Sequence, residues 1–262
     1  MLRVRNLSVF HNGIPAVKTV SMEIGDGEIV ALVGPNGAGK TSLARAIAGL
    51  ERYPTGSVTI EGNGVNCRLD HIPAWKIARL GIVFIPEDRH VFENLSVREN
   101  LEIAFASLGK DKRGHLQQLE KINSLFPFLW NRLDQVAGTL SGGEKRSLAI
   151  ARGFLFLKVT GVPRREEPRG FRLLILDEPT HGLDPAARGR MTDILRSISK
   201  DGITILLIEQ LAAFALATSS RAYVMGNGEI ERFGSAAEIA ENETWHDIRL
   251  GPQPFGGEHR VF

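Results

Sequence analysis

The sequence is short of several things that would each have pointed to a function of their own. It has one cysteine, Cys67, so no intrachain disulfide can form. Its opening stretch, MLRVRNLSVF, lacks the apolar core of a secretory signal, and the two absences together predict a cytosolic chain. Long hydrophobic runs are missing too. The longest, such as ITILLI at 203–208, falls far short of the roughly 20 residues a membrane-spanning helix needs, so any membrane role is expected to be borrowed from a partner. Net charge is nearly absent: 32 basic residues face 30 acidic ones, formally +2, with the signs interleaved. That leaves no broad basic surface for nucleic acid, which is not expected as a partner. No repeat at a solenoid period stands out.

What is present is ordinary in bulk and specific in pattern. The 262 residues are 43% hydrophobic and 24% charged, enough to bury a sizeable core in one large domain. Short strand patterns open the chain (LRVRNLSVF, AVKTVSMEI), and the run EIVALV then ends abruptly at Gly34, as a buried strand would. KTSLARAIAGL follows with apolar residues at helical spacing and Gly49 as a terminator. From about residue 86 the pattern turns mostly helical, with Ser96 and Glu99 at capping-box spacing. Strand patterns return at RLLILDE and GITILLIE, each followed by a helical stretch, the alternation of a parallel α/β sheet. One domain is therefore expected over 1–250, with an α/β core from 1–85 and 160–235, a helical subdomain inserted at 86–159, and a tail at 251–262. The proline-, glycine- and charge-rich stretch 159–172 reads as an exposed loop.

GPNGAGKT at 34–41 fits G-x-x-x-x-G-K-[ST], and it stands where its mechanism requires, after a buried strand and opening a helix. Gly34, Gly37 and Gly39 let backbone N–H groups wrap phosphate oxygens; Lys40 reaches the outer phosphates, and the Thr41 hydroxyl is a ligand for Mg²⁺. Pro35, Asn36, Ala38 and Ser42 complete the expected nucleotide-binding set. A second acid-bearing element, LLILDEPT at 173–180, is an apolar strand ending in paired carboxylates, at the edge where open α/β sheets bind ligands. Asp177 is expected in the Mg²⁺ shell. Glu178, aimed differently, is placed to orient or deprotonate the attacking water. ATP and Mg²⁺ are the cofactors these motifs imply.

LSGGEKR at 140–146 decides the class. Serine and glycine amides at the start of a helix form an anion site, and an LSGGE segment between P-loop and acidic strand resembles the signature of ATP-binding cassette (ABC) ATPases. The resemblance runs from residue 2 to about 250, with the landmarks in the family's order. It implies a P-loop α/β fold: an ABC ATPase core with a mixed sheet, an N-terminal antiparallel β region and an inserted α-helical subdomain. It also implies a head-to-tail dimer, a homodimer or a heterodimer with a second ABC ATPase, in which Ser141, Gly142 and Gly143 of one subunit cap the γ-phosphate on the other's P-loop. Membrane permease subunits, an indirect solute-binding protein and a place on the cytoplasmic face of the cell membrane follow from the same likeness.

Three positions depart from the family's pattern. His11 stands where a tyrosine usually stacks on adenine. Glu87, after the strand GIVFIP, replaces the glutamine that links the Mg²⁺ site to the membrane subunit, and as a carboxylate it is a direct cation ligand. Gln210 replaces the histidine that senses the γ-phosphate; it donates a hydrogen bond without carrying charge. His181, in THGLD, reads as a loop residue. Together with AYVMGNGEIERFG these departures resemble ATPases of the branched-chain amino-acid importers. Urea and short-amide importers, a non-transport ABC ATPase, and a weakly active subunit relying on an unlike partner stand as alternatives.

Overall fold

The computed structural model describes residues 1–62, 65–88, 91–105, 112–160 and 171–241. The tail 251–262 and most of the 159–172 stretch lie outside them. A hairpin of β1 (Leu2–His11) and β2 (Ile14–Ile24) opens the chain, and β3 (Ile29–Val33) leads through the glycine loop into helix α1 (Lys40–Ile47). Strands β4 (Thr55–Gly62) and β5 (Val65–Arg68), helix α2 (Ala74–Arg79) and strand β6 (Ile82–Ile85) follow. Helices α3 (Val97–Glu102), α4 (Lys112–Leu125), α5 (Pro127–Trp130) and α6 (Gly142–Thr160) come next. The chain then alternates β7 (Leu173–Asp177), α7 (Pro185–Lys200), β8 (Thr204–Glu209), α8 (Ala212–Thr218), β9 (Arg221–Gly226), β10 (Glu229–Ser235) and α9 (Ala236–Glu241).

Two sheets result: an antiparallel one in the order β2-β1-β4-β5 and a mixed one in the order β10-β9-β3-β8-β7-β6. In the mixed sheet β9, β3, β8, β7 and β6 run parallel, and β10 pairs antiparallel with β9. The continuous apolar runs of the central strands have a simple cause: both faces are covered. On β3, Val30 and Leu32 enter the core shared with the antiparallel sheet and α1, while Ala31 and Val33 enter the core shared with the helices. β7 splits the same way, Leu173 and Ile175 against Leu174 and Leu176, and so does β8, Leu206 and Ile208 against Ile205 and Leu207. This is the two-residue period of a strand read out as two cores. Each such valine, leucine or isoleucine contributes about 1.5–3 kcal/mol on burial.

Local signals act as their chemistry dictates. Ser96 caps α3 by accepting from the Glu99 N–H, while the Glu99 carboxylate accepts from the Ser96 N–H at 2.7 Å, the expected capping box. The turn between β9 and β10 is Asn227-Gly228, both at positive φ, as a tight hairpin turn requires. That turn braces the glycine loop: Gly228 N–H donates to Ala38 O at 3.0 Å, and Lys18 N–H donates to Gly228 O at 2.7 Å.

Candidate functional site

The parallel strands β3, β8 and β7 lie side by side, so their carboxyl ends bring three functional segments to one edge. The first is the glycine loop after β3. A Cβ at Gly34 would overlap the Met225 carbonyl, and one at Gly39 would overlap the Ala16 carbonyl; Gly39 also sits at φ +99°. Only glycine fits both places. Gly39 is the N-cap of α1, with no side chain capping it, so the first N–H groups of the helix are left for an anion.

Lys40 is buried, 5% exposed, and its ammonium donates to the Gly34 and Pro35 carbonyls at 2.9 and 3.0 Å. Burial lowers its pKa, and Glu178, Asp177, Glu209 and Glu87 oppose that by favouring the charged form. Thr41 Oγ1 donates to Asp177 Oδ2 at 2.9 Å, so the hydroxyl of the loop and the acid of β7 meet across the end of β8. Asp177 is 5% exposed, and burial raises its pKa. Its second oxygen, Oδ1, is buried without a hydrogen-bond partner among the described residues. An orphaned carboxylate oxygen beside a hydroxyl is a hard oxygen donor set, which fits Mg²⁺.

Glu178 follows at φ +45°, its N–H bound to Ile208 O at 2.9 Å. This left-handed turn directs its side chain away from that of Asp177 and into a cleft of about 780 Å³. The cleft is also lined by residues 34–42, His11, Glu87, His181 and Gln210. The nucleotide-binding residues expected of the P-loop, His11, the expected base Glu178, and both substituted positions, Glu87 and Gln210, thus share one cleft. Asp177 lies just beneath it. Ser141, Gly142 and Gly143 do not line it. They open α6 elsewhere, where Ser141 Oγ accepts from the Glu144 N–H at 3.3 Å and Glu144 accepts from the Ser141 N–H at 2.9 Å. A Cβ on Gly143 would overlap Leu183, so the signature glycine lies against the loop after β7.

Three features escape the sequence reading. Glu209, 2% exposed at the end of β8, accepts from Thr180 N–H at 3.0 Å and Thr180 Oγ1 at 2.6 Å; burial raises its pKa. The signal was available, because a carboxylate closing an otherwise apolar strand is the pattern that singles out Asp177. His181 Nδ1 contacts Glu87 Oε1 at 2.5 Å, joining two loops far apart in sequence. Arg146, on α6, donates to the backbone carbonyls of both residues, His181 at 2.5 Å and Glu87 at 3.3 Å. No periodicity could have revealed that strut.

A P-loop, an acid pair two strands away on the same sheet edge and a serine-glycine helix start define a nucleoside triphosphatase of the cassette type. Residues 17–159 match the ABC transporter family. The chain is 37% identical to the high-affinity branched-chain amino acid transport ATP-binding protein BraG of Pseudomonas aeruginosa, over 96% of this chain and 100% of that protein. It is 30% identical to the lipopolysaccharide export system ATP-binding protein LptB of Haemophilus influenzae, over 97% of this chain and 98% of that protein. Among solved structures, it resembles the dimeric post-hydrolysis state of the cassette MJ0796 bound to ADP and Pi, with a TM-score of 0.73, 21% identity, and 90% and 99% of the two chains covered. The chain therefore belongs to the ABC transporter ATPase family. It is an ATPase, the nucleotide-binding subunit of a transporter. Among the described residues, no helix is long and apolar enough to cross a membrane.

Proposed function

We propose that this chain powers an importer of branched-chain amino acids, hydrolysing Mg·ATP at the cytoplasmic face of the cell membrane while separate permeases carry the solute. The observation that carries the catalytic part is the convergence of Lys40, Thr41, Asp177 and Glu178 on one edge while Ser141–Gly143 face elsewhere. One chain then holds two half-sites, and a head-to-tail pair completes both. Lys40 leaves the Gly34 and Pro35 carbonyls for the outer phosphates, whose charged oxygens make stronger hydrogen bonds to the ammonium than the neutral carbonyls do. Thr41, Asp177 and Glu87 hold Mg²⁺, which supplies charge neutralisation at the phosphates. Glu178 takes the proton from the attacking water, held in its left-handed turn by the bond to Ile208 O. Gln210 orients by a hydrogen bond and adds no charge.

His11 offers its ring to adenine. Ser141, Gly142 and Gly143 donate to the partner's γ-phosphate, so closure requires ATP and ends when that phosphate leaves. A groove of about 340 Å³ suits the permease. It is lined by Leu50, Ala74, Phe84, Ile103 and Phe156, and α2 beside it carries Trp75, 57% exposed. The full-length likeness to BraG supports branched-chain amino acids as the solute. The likeness to LptB supports a second reading, in which the same ATPase drives export of a lipid.

The test has two parts. Glu178→Gln is expected to lower turnover by about a hundredfold or more and to trap an ATP-bound dimer; undiminished turnover with no trapped dimer removes the assignment. Co-reconstitution with its permeases is expected to give ATP-dependent leucine uptake, and uptake that ignores leucine sinks the importer reading.

A further inference from the structure

His11 is tied at both ring nitrogens. Nε2 lies 2.8 Å from Ser42 Oγ, and Nδ1 lies 2.9 Å from Glu51 Oε1. The Glu51 side chain is 14% exposed, and its other oxygen makes no hydrogen bond. Glu51 does not line the cleft, whereas His11 and Ser42 do. A carboxylate is therefore linked to the nucleotide cleft through an imidazole and a hydroxyl in series.

The series has a proton-counting consequence. A carboxylate only accepts, so the Glu51 contact fixes the proton on Nδ1. In a neutral ring Nε2 then accepts, and the single hydroxyl proton of Ser42 goes to His11. Ser42 is the third residue of α1, at the helix end that draws phosphate. A phosphate oxygen there also needs that hydroxyl proton, and one proton cannot serve both. We infer that nucleotide binding takes up a proton at His11: phosphate claims the Ser42 hydroxyl proton, and His11, as an imidazolium held by Glu51, donates from Nε2 to Ser42 Oγ.

The inference rests on the nucleotide reading of the cleft above. It makes Glu51 a positioning residue of the site and His11 more than a stacking surface. The charges around the ring agree with it. Arg45 stands 3.7 Å from the far oxygen of Glu51, Lys40 is buried among carboxylates, and Lys18 of β2 is turned to Glu229. Arg45 and Lys18 are thus each paired with a carboxylate, and the incoming phosphates add negative charge that favours the imidazolium.

Calorimetry of Mg·ADP binding to the intact chain, in buffers of different ionisation enthalpy, reads the proton directly. Uptake of up to about half a proton per nucleotide is expected near neutral pH. Affinity is expected to fall about tenfold between about pH 6 and about pH 8, the effect of one unit of linked proton affinity. His11→Tyr, which keeps an aromatic face, and Ser42→Ala are both expected to bind Mg·ADP more weakly, and the binding that remains is expected to proceed without that uptake. Glu51→Gln is expected to reduce the uptake and flatten the pH profile; melting curves of each variant verify folding. Equal, buffer-independent heats in wild type and variants overturn the relay and leave the nucleotide site standing. Full uptake in Glu51→Gln overturns the role of Glu51. Failure of wild type to bind Mg·ADP at all overturns both readings.

Discussion

The two glycine-bearing helix starts of this chain, at α1 and α6, differ in how they treat charge. At α1 the charge is buried and shared: Lys40, at 5% exposure, stands amid Glu178, Asp177, Glu209 and Glu87, and Thr41 is bonded to Asp177. At α6 the helix start is exposed and caps itself. Ser141 and Glu144 exchange hydrogen bonds, and Glu144 pairs with Arg132 at 2.7 Å. The first site is assembled by the fold and is ready to take charge in. The second is already satisfied within the chain, by its own cap and by Arg132.

If that contrast is right, removing the buried cation has the largest effect. Lys40→Ala leaves the four carboxylates Glu178, Asp177, Glu209 and Glu87 without the buried ammonium that stands among them. Turnover is expected to fall at least about a thousandfold, the scale of losing a preorganised charge aimed at the reacting group, with nucleotide affinity falling too. A steady-state ATPase assay and equilibrium binding check it. The exposed site breaks differently. Ser141→Arg adds bulk at an open helix start, so each chain is expected to bind ATP as before while the ATP-dependent dimer is lost and turnover drops at least about tenfold. Size-exclusion chromatography of a trapped Glu178→Gln background separates the two effects. Loss of nucleotide binding by Ser141→Arg would erase the distinction between the sites.

How much of this could be read from the sequence follows the same line. The P-loop, the acid pair and the capping box at Ser96 are short-range features, in which neighbours in sequence are neighbours in space. Each is where the pattern put it. The parallel part of the large sheet was legible from strand patterns each followed by a helical stretch, whereas its mixed character was implied only by the family resemblance. What stayed hidden depends on long-range contacts: Glu87 on His181, Arg146 on the carbonyls of both, Glu51 behind His11. His181 read as a loop residue because nothing within a few positions of it names Glu87 as its partner.

The Arg146 strut gives a smaller, structural test of that long-range layer. Arg146→Ala removes charge-assisted bonds to the carbonyls of His181 and Glu87, and is expected to cost about 1–3 kcal/mol of stability. Denaturant unfolding measures the loss. If the two loops are held by this arginine, hydrogen exchange in residues 86–88 and 181–183 is also expected to accelerate more than in β3 or β7. Uniform acceleration would mean that the strut supports the fold generally and not the site.

The smallest effect concerns Glu209, the buried carboxylate that neither motif uses. Burial is the main cause of its raised pKa, with the Thr180 bonds opposing it. A carboxyl whose folded pKa lies above its unfolded value binds more protons in the folded state between the two values. Stability from this group is therefore greatest below the unfolded pKa and is lost as pH rises through the folded one. Glu209→Gln keeps an oxygen able to accept from Thr180 N–H and Oγ1 but removes the buried charge. The melting temperature of the variant relative to wild type is expected to improve from about pH 5 to about pH 8, by an amount well below that of the Arg146 change. A difference that shrinks with rising pH would mean that the charge is stabilised where it sits, by Lys40 and Arg146 across the site. Glu209 would then belong with the shared charges of the α1 half-site and not with the bonds that merely hold Thr180.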